Sequence, residues 1–435
     1  MDTSAAFIKN DRRIVAGWTF FDWANSAFAL VITVAIFPEY FLAVTDDMVN
    51  ILGAKVSASS LYAFAISAAY LLIAAVSPWL SGIADYGGRK MWFLRLFTTM
   101  GALACIALAF FKGMPTLWLG TGAFIVAMIG FAGGLVFYNS YLPEIVTEEH
   151  YDRVSARGFA MGFIGSVLLL IVNLFMLQRP EWFGLPEEGT LAARVCFIMV
   201  GVWWMGFAQI PFRRLPKDVR KKERLRPLAR KGWEELKKVW SSVRHQTQIK
   251  RFLLSFFFYS AGAQTVLYLA ATFAKIELLF DSTELILLVL ILQIIAIFGA
   301  YFFAWVSERR GNKLSIAIIL FIWTAICIAA YFVADKIQFY GLAVAVGSVM
   351  GGIQAMSRST YSKLLPEDTK DTASYFSFYD VLEKLAIVGG TFSFGFIEQL
   401  TGNIRYSVLA LATYFVLSLV LFSRVKVTNN EQATA

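Results

Sequence analysis

Charge is scarce in this chain. Of its 435 residues only 16% are Asp, Glu, Lys or Arg, against roughly 25% in an ordinary soluble domain, so a water-facing globular protein is excluded. Histidine is scarcer still: His150 and His245 are the only two, and both lie between apolar stretches. No histidine proton relay can therefore cross a membrane here. The three cysteines, Cys105, Cys196 and Cys327, are scattered through apolar segments, which excludes a disulfide framework and a cysteine metal site. No G-x-x-x-x-G-K-[ST] loop occurs, so nothing is built to hold ATP, and no hydrolytic triad or metal-ligand cluster can be read. The expectation is a non-enzyme without cofactor or metal that draws its energy from a gradient. No N-x-S/T sequon marks a glycosylated loop.

What is abundant is apolar: 58% hydrophobic and 16% aromatic residues. A spanning helix needs about 20 apolar residues. Twelve runs qualify, near 17–43, 58–80, 91–111, 116–142, 156–178, 191–212, 252–274, 284–306, 314–334, 338–362, 376–398 and 404–423. The first is expected to be a retained span, since no small-residue cleavage site follows it. An all-α membrane protein of twelve transmembrane helices is the expected fold class.

The runs divide six and six around a single long connection. The expected organisation is a first six-helix bundle over 1–212, a basic linker over 213–251 and a second bundle over 252–435. The linker holds 15 Lys and Arg against 4 Asp and Glu, a net of +11, whereas the whole chain is +9. The basic balance is thus one loop, and nucleic-acid binding, which needs a basic face on a folded domain, is not expected. With both termini and this loop placed inside, that side carries 29 Lys and Arg against 7 outside, so positive charge favours an N-in, C-in orientation. Within the linker Trp233, Leu236, Trp240 and Val243 fall on one helical stripe among lysines and arginines, a pattern suited to an amphipathic helix on an anionic membrane surface.

The halves repeat each other. "SGIADYGGRK" (81–90) follows the second run and "AWVSERRGNK" (304–313) the eighth; their acids, Asp85 and Glu308, are 223 residues apart. Leu142-Pro143-Glu144 and Leu365-Pro366-Glu367 match at the same offset. Parallel six-helix repeats characterise a major transporter architecture.

The stretch 81–90 resembles the major facilitator superfamily signature G-x-x-x-D-[RK]-x-G-[RK]-[RK]. Asp85, Gly88, Arg89 and Lys90 match, while Ser81 and Tyr86 depart from it. The resemblance implies gate roles for Asp85 and Arg89, with Glu308 and Arg309 as counterparts in the second half. "DWANSAF" (22–28), "YNSYLPEI" (138–145), "DRVSARGFAMGFIG" (152–165), "GGIQAMSRSTYSKLLPE" (351–367) and "FSFYDVLEKLAIVGG" (376–390) are similar to the vacuole effluxer-like family. That family includes fungal vacuolar amino-acid effluxers and many bacterial relatives. The resemblance implies a two-bundle major facilitator fold, secondary transport by alternating access and a monomer.

Polar residues inside the apolar runs are the candidate site. An Asp in hydrocarbon is expensive, roughly 2.5–3.5 kcal/mol at a helix centre, so the polar face of Asp22 and Asn25 should meet protein or a wet cavity. Tyr138, Asn139, Gln354, Arg358 and Glu383 complete the expected cavity lining. Asp380 and Lys384 stand i, i+4 and could pair locally, which would leave Glu383 the unpaired acid. Asp22 and Arg358 could form a gate between the halves, or bind the ammonium and carboxylate of a zwitterion. Any coupling proton would have to ride on carboxylates, Asp22 or Glu383, with sodium coupling equally open. The expected function is export of small zwitterions such as neutral amino acids, in a bacterial inner membrane. Export of amphipathic organic compounds and lipid flipping or scrambling are the alternatives.

Overall fold

The computed structural model describes residues 8–51, 53–219, 225–366 and 369–427. It is almost wholly helical. Asp11 caps the first helix by accepting from the Arg13 and Ile14 amides. The helix therefore begins at Arg12, five residues before the apolar run, and Asp22 lies ten residues, about 15 Å, along it. It runs regularly to Ala27, opens into a π-helix over Phe28–Ile36 and closes over Phe37–Val44; together these are α1. A nine-residue π segment is rare and tends to mark function. This one follows directly on "DWANSA".

A hairpin fills the gap between the first two apolar runs: β1 (Met48–Ile51) pairs antiparallel with β2 (Ala54–Ser57), Met48 opposite Ser57. β-Branched Val49, Ile51 and Val56 favour it. The helices that follow are α2 (Ala58–Gly87), α3 (Lys90–Leu108), α4 (Leu117–Ser140), α5 (Tyr151–Gln178), α6 (Leu191–Arg214), α7 (Leu225–His245), α8 (Thr247–Leu278), α9 (Ser282–Arg310), α10 (Asn312–Phe332), α11 (Lys336–Leu364), α12 (Thr372–Thr401) and α13 (Ile404–Ser423). Among the described residues ten helices are long and apolar enough to cross a membrane. Two more, α8 and α12, run for 32 and 30 residues, and α12 carries Asp380, Glu383 and Lys384 within five of them.

The contacts sort the chain into two compact units. One comprises Asp11–Asn139 and Met161–Gly232, and the other Ile8–Asn10, Ser140–Ala160 and the chain from Trp233 on. This grouping differs from the division into sequence halves, because the α4–α5 turn packs with the second unit. In the first unit α6 packs against α1 and α3. Small residues permit the approach: a Cβ on Gly101 would lie 2.4 Å from the Trp204 ring, and one on Gly162 would lie 2.5 Å from Ser26 Oγ. In the second unit α9 packs on α11 and α10 on α13, where Trp323 stacks on Phe415.

Helix α7 is amphipathic, but the structure splits its expected stripe. Leu236, Val239 and Val243 are buried, whereas Trp233 and Trp240 are about half exposed, at 48% and 53%. The apolar aliphatic side chains dock on protein and the tryptophans turn outward beside Lys237 and Arg244. The Glu367 half of the second repeat match lies outside the described residues.

Candidate functional site

In the first unit the acid of "DWANSAF" is buried and held. Asp22 is 3% exposed, and the Tyr138 hydroxyl donates to its Oδ2 at 2.7 Å. Tyr138 is fixed in turn: its ring stacks on Trp18 and Phe21, with centroids 4.5 and 4.6 Å away, and its carbonyl accepts from Trp18 Nε1. Asn25, one turn on, is 1% exposed, and neither end of its amide has a hydrogen-bond partner. An unsatisfied buried polar group costs about 1–3 kcal/mol. Asn139 is half-buried.

The signature turn lies in the same unit. The Asp85 side chain is wholly buried and pairs with Lys90 at 3.3 Å. Gly88 adopts φ +60° and ends α2 in left-handed geometry. Arg89 keeps its Nε buried without a partner. The linker covers the turn. Asp218 caps α3, accepting from the Met91 and Trp92 amides at 2.7 and 2.9 Å. Lys231 lies over the Tyr86 ring at 5.1 Å, so a linker cation reaches the position where the signature usually carries its own base.

In the second unit the matching turn behaves otherwise. Glu308 and Arg309 are exposed, with Arg309 stacked on Trp305 at 4.4 Å. The inward-facing groups are Ser307 and Asn312, which donate to Asp152 at 2.9 and 2.8 Å. Lys363 pairs with the same carboxylate at 2.8 Å and also donates to Asn312; Ser359 is a further donor to Asp152. This buried cluster was missed in the sequence, although Asp152, Ser359 and Lys363 all lie inside quoted motifs. The signal was the density of hydroxyls and bases in "MSRSTYSK".

Arg358 packs beside that cluster. Its guanidinium donates to Ser155 Oγ and O at 3.0 and 2.8 Å and lies 4.1 Å over the Phe159 ring. One turn earlier Gln354 lines a small cleft with Tyr259, Gln264, Ser357, Tyr379 and Glu383. Gln354 and Glu383 are thus brought together. Arg358, Asp380 and Lys384 are not among the residues of that wall. Lys384 pairs with Asp380 at 2.6 Å and with Glu383 at 3.2 Å. The expectation that Glu383 would stand unpaired is therefore corrected: a lysine reaches both the residue four positions back and its immediate neighbour.

The fold resembles solved major facilitator transporters. These include the transporter FucP in the outward conformation (TM-score 0.70, 13% identity, covering 96% of this chain and all of that one). They also include the proton:xylose symporter XylE (TM-score 0.70, 15% identity, 95% of each chain). The architecture is thus the helical major facilitator fold, a likeness of fold alone. Within that fold class the chain belongs to the vacuole effluxer Atg22-like family, whose sequence model matches residues 10–435. It is 29% identical to the uncharacterized MFS-type transporter YxiO of Bacillus subtilis, across 93% of both chains. It is 28% identical to autophagy-related protein 22 of Eremothecium gossypii, over 85% of this chain and 78% of that one.

Proposed function

We propose that this protein is a twelve-helix secondary transporter that exports small zwitterions, neutral amino acids foremost, by alternating access from a bacterial inner membrane. The observation that carries the reading is the Asp22–Tyr138 pair beside the bare Asn25 amide. A fixed carboxylate suits an ammonium, and an amide can donate to a carboxylate or accept from the ammonium. The family's effluxer description supports outward movement. The excess of basic residues on one side supports N-in, C-in topology, and the lengths of α8 and α12, 32 and 30 residues, support counting them as two further spans. The half-exposed Trp233 and Trp240, flanked by Lys237 and Arg244, suit contact with anionic headgroups at the interface.

A thermal-shift screen of amino acids on purified protein tests the substrate class. A ligand that binds only the folded form adds about 2.7 kcal/mol at 100 times its dissociation constant. One or a few neutral amino acids should raise the melting temperature of the wild type and leave Asp22→Asn unmoved. If none shifts the wild type while amphipathic organic compounds do, the zwitterion reading fails.

A further inference from the structure

Helix α12 sets three ionisable side chains within five residues, and their charges do not balance. Asp380 and Glu383 share the single Lys384 ammonium, at 2.6 and 3.2 Å. Two carboxylates and one ammonium leave one negative charge over. The Asp380 and Lys384 side chains are each 5% exposed, and Asp380 Oδ2 is buried with no hydrogen-bond partner. Among the described residues the neighbouring helices supply little to offset it. From α8 come Tyr259, whose hydroxyl meets Ser357 at 2.6 Å, and Gln264, whose amide stands 3.5 Å from Glu383 Oε1. From α13 comes Tyr414, bonded to Ser393 farther along α12. On α12 itself Tyr379 lines the cleft. Of the cations on α11, Arg358 is engaged with Ser155 and Phe159, Lys363 with Asp152 and Lys336 with Glu284.

A buried carboxylate such as Asp380, sharing its one cation with a second acid, is unfavourable as an anion unless something neutralises it. A bare carboxylate oxygen is also an acceptor without a donor, and a proton removes both problems at once. Glu383 gives the group its access, since its side chain is a quarter exposed and lines the cleft. We propose that Asp380, Glu383 and Lys384 form a proton-binding site. One proton enters from the cleft at Glu383 and is held by the carboxyl pair, which makes the triad neutral. The proton is bound as O–H on one carboxyl oxygen and returns to water when it leaves, so no other reactant is involved. This is the group on which a proton gradient would act. A metal cation is the less suitable occupant, because it needs a shell of several oxygens, and no group of three or more metal-type ligands occurs among the described residues.

The proposal stands independently of the amino-acid reading, because its test needs no substrate. Infrared difference spectra of the purified full-length protein in nanodiscs, recorded across a pH titration, report protonated carboxyl groups directly. The wild type should show a buried-carboxyl band at neutral pH that disappears on alkalinisation in a one-proton step. Asp380→Asn and Glu383→Gln should each abolish it, since either change leaves one acid to one base and the pair is neutral without a proton. Lys384→Gln should instead enlarge the band. Melting curves confirm folding of each variant, and if Asp380→Asn does not fold, the more exposed Glu383→Gln decides. Absence of the band in the wild type would overturn the proposal, as would its survival in Glu383→Gln. Replacing potassium by sodium should leave the titration in place; a sodium-dependent displacement of the band would assign the site to a metal cation instead.

Discussion

The turns at 81–90 and 304–313 share one sequence pattern and put it to different uses. In the first, the acid is the buried element, with Asp85 wholly enclosed against Lys90. In the second, Glu308 is exposed and the residues on either side of the glycine's approach, Ser307 and Asn312, turn inward to Asp152. What the repeat keeps is backbone geometry: Gly88 and Gly311 both have positive φ, +60° and +85°. Even here the halves diverge, because Gly88 has ψ 49° and Gly311 has ψ 154°. The first is ordinary left-handed geometry, which Asn tolerates. The second lies in a region that is essentially glycine-only. Duplication has preserved the chain reversal, and each half has then placed its own polar contacts around it.

Removing the two acids should separate the turns most. Asp85→Ala removes the buried Asp85–Lys90 pair and should cost about 3 kcal/mol, the lower end for breaking a buried pair. Glu308→Ala should stay within about 0.5 kcal/mol, as exposed changes do. Melting temperatures of the two variants in one detergent check this, and equal losses would mean the turns are alike after all. Next come the glycines. Gly311→Asn should destabilise by about 1–3 kcal/mol while Gly88→Asn costs less than about 1 kcal/mol; the reversed order would show that the two backbones are exchanged. The smallest effects belong to the cations on aromatic rings. Lys231→Met over Tyr86 and Arg309→Met over Trp305 should each cost about 0.5–1 kcal/mol, read as small shifts in the same melts. A larger loss for Lys231 would show that the linker cation stabilises the first turn by more than its ring contact.

Much of the fold was legible because apolar runs of 20 or more residues admit few structures other than helices. Each of the twelve runs falls on a helix. The short hairpin escaped because four-residue strands leave too brief a pattern. Single side chains were harder. Asp22, Tyr138 and Asn25 could be named because polar residues stand out in apolar surroundings, yet that Tyr138 is the donor to Asp22 depends on a packing 116 residues apart. Asp152 was invisible for the opposite reason. It lies at the start of α5 among other charged residues, where an acid reads as a loop residue, and only tertiary packing gathers Ser307, Asn312, Ser359 and Lys363 around it. The i, i+4 spacing pointed to the Asp380–Lys384 contact, but spacing alone could not show that Lys384 also serves Glu383 and that one carboxylate oxygen is left bare.

On the function proposed above, the Asp22 carboxylate receives the ammonium of a transported amino acid. Counterflow in proteoliposomes tests it most directly: vesicles loaded with an unlabelled neutral amino acid are diluted into a trace of the labelled one. The wild type should accumulate label transiently, and Asp22→Asn protein that still melts cooperatively should not. Accumulation undiminished in Asp22→Asn, or none in the wild type with any neutral amino acid, would contradict it.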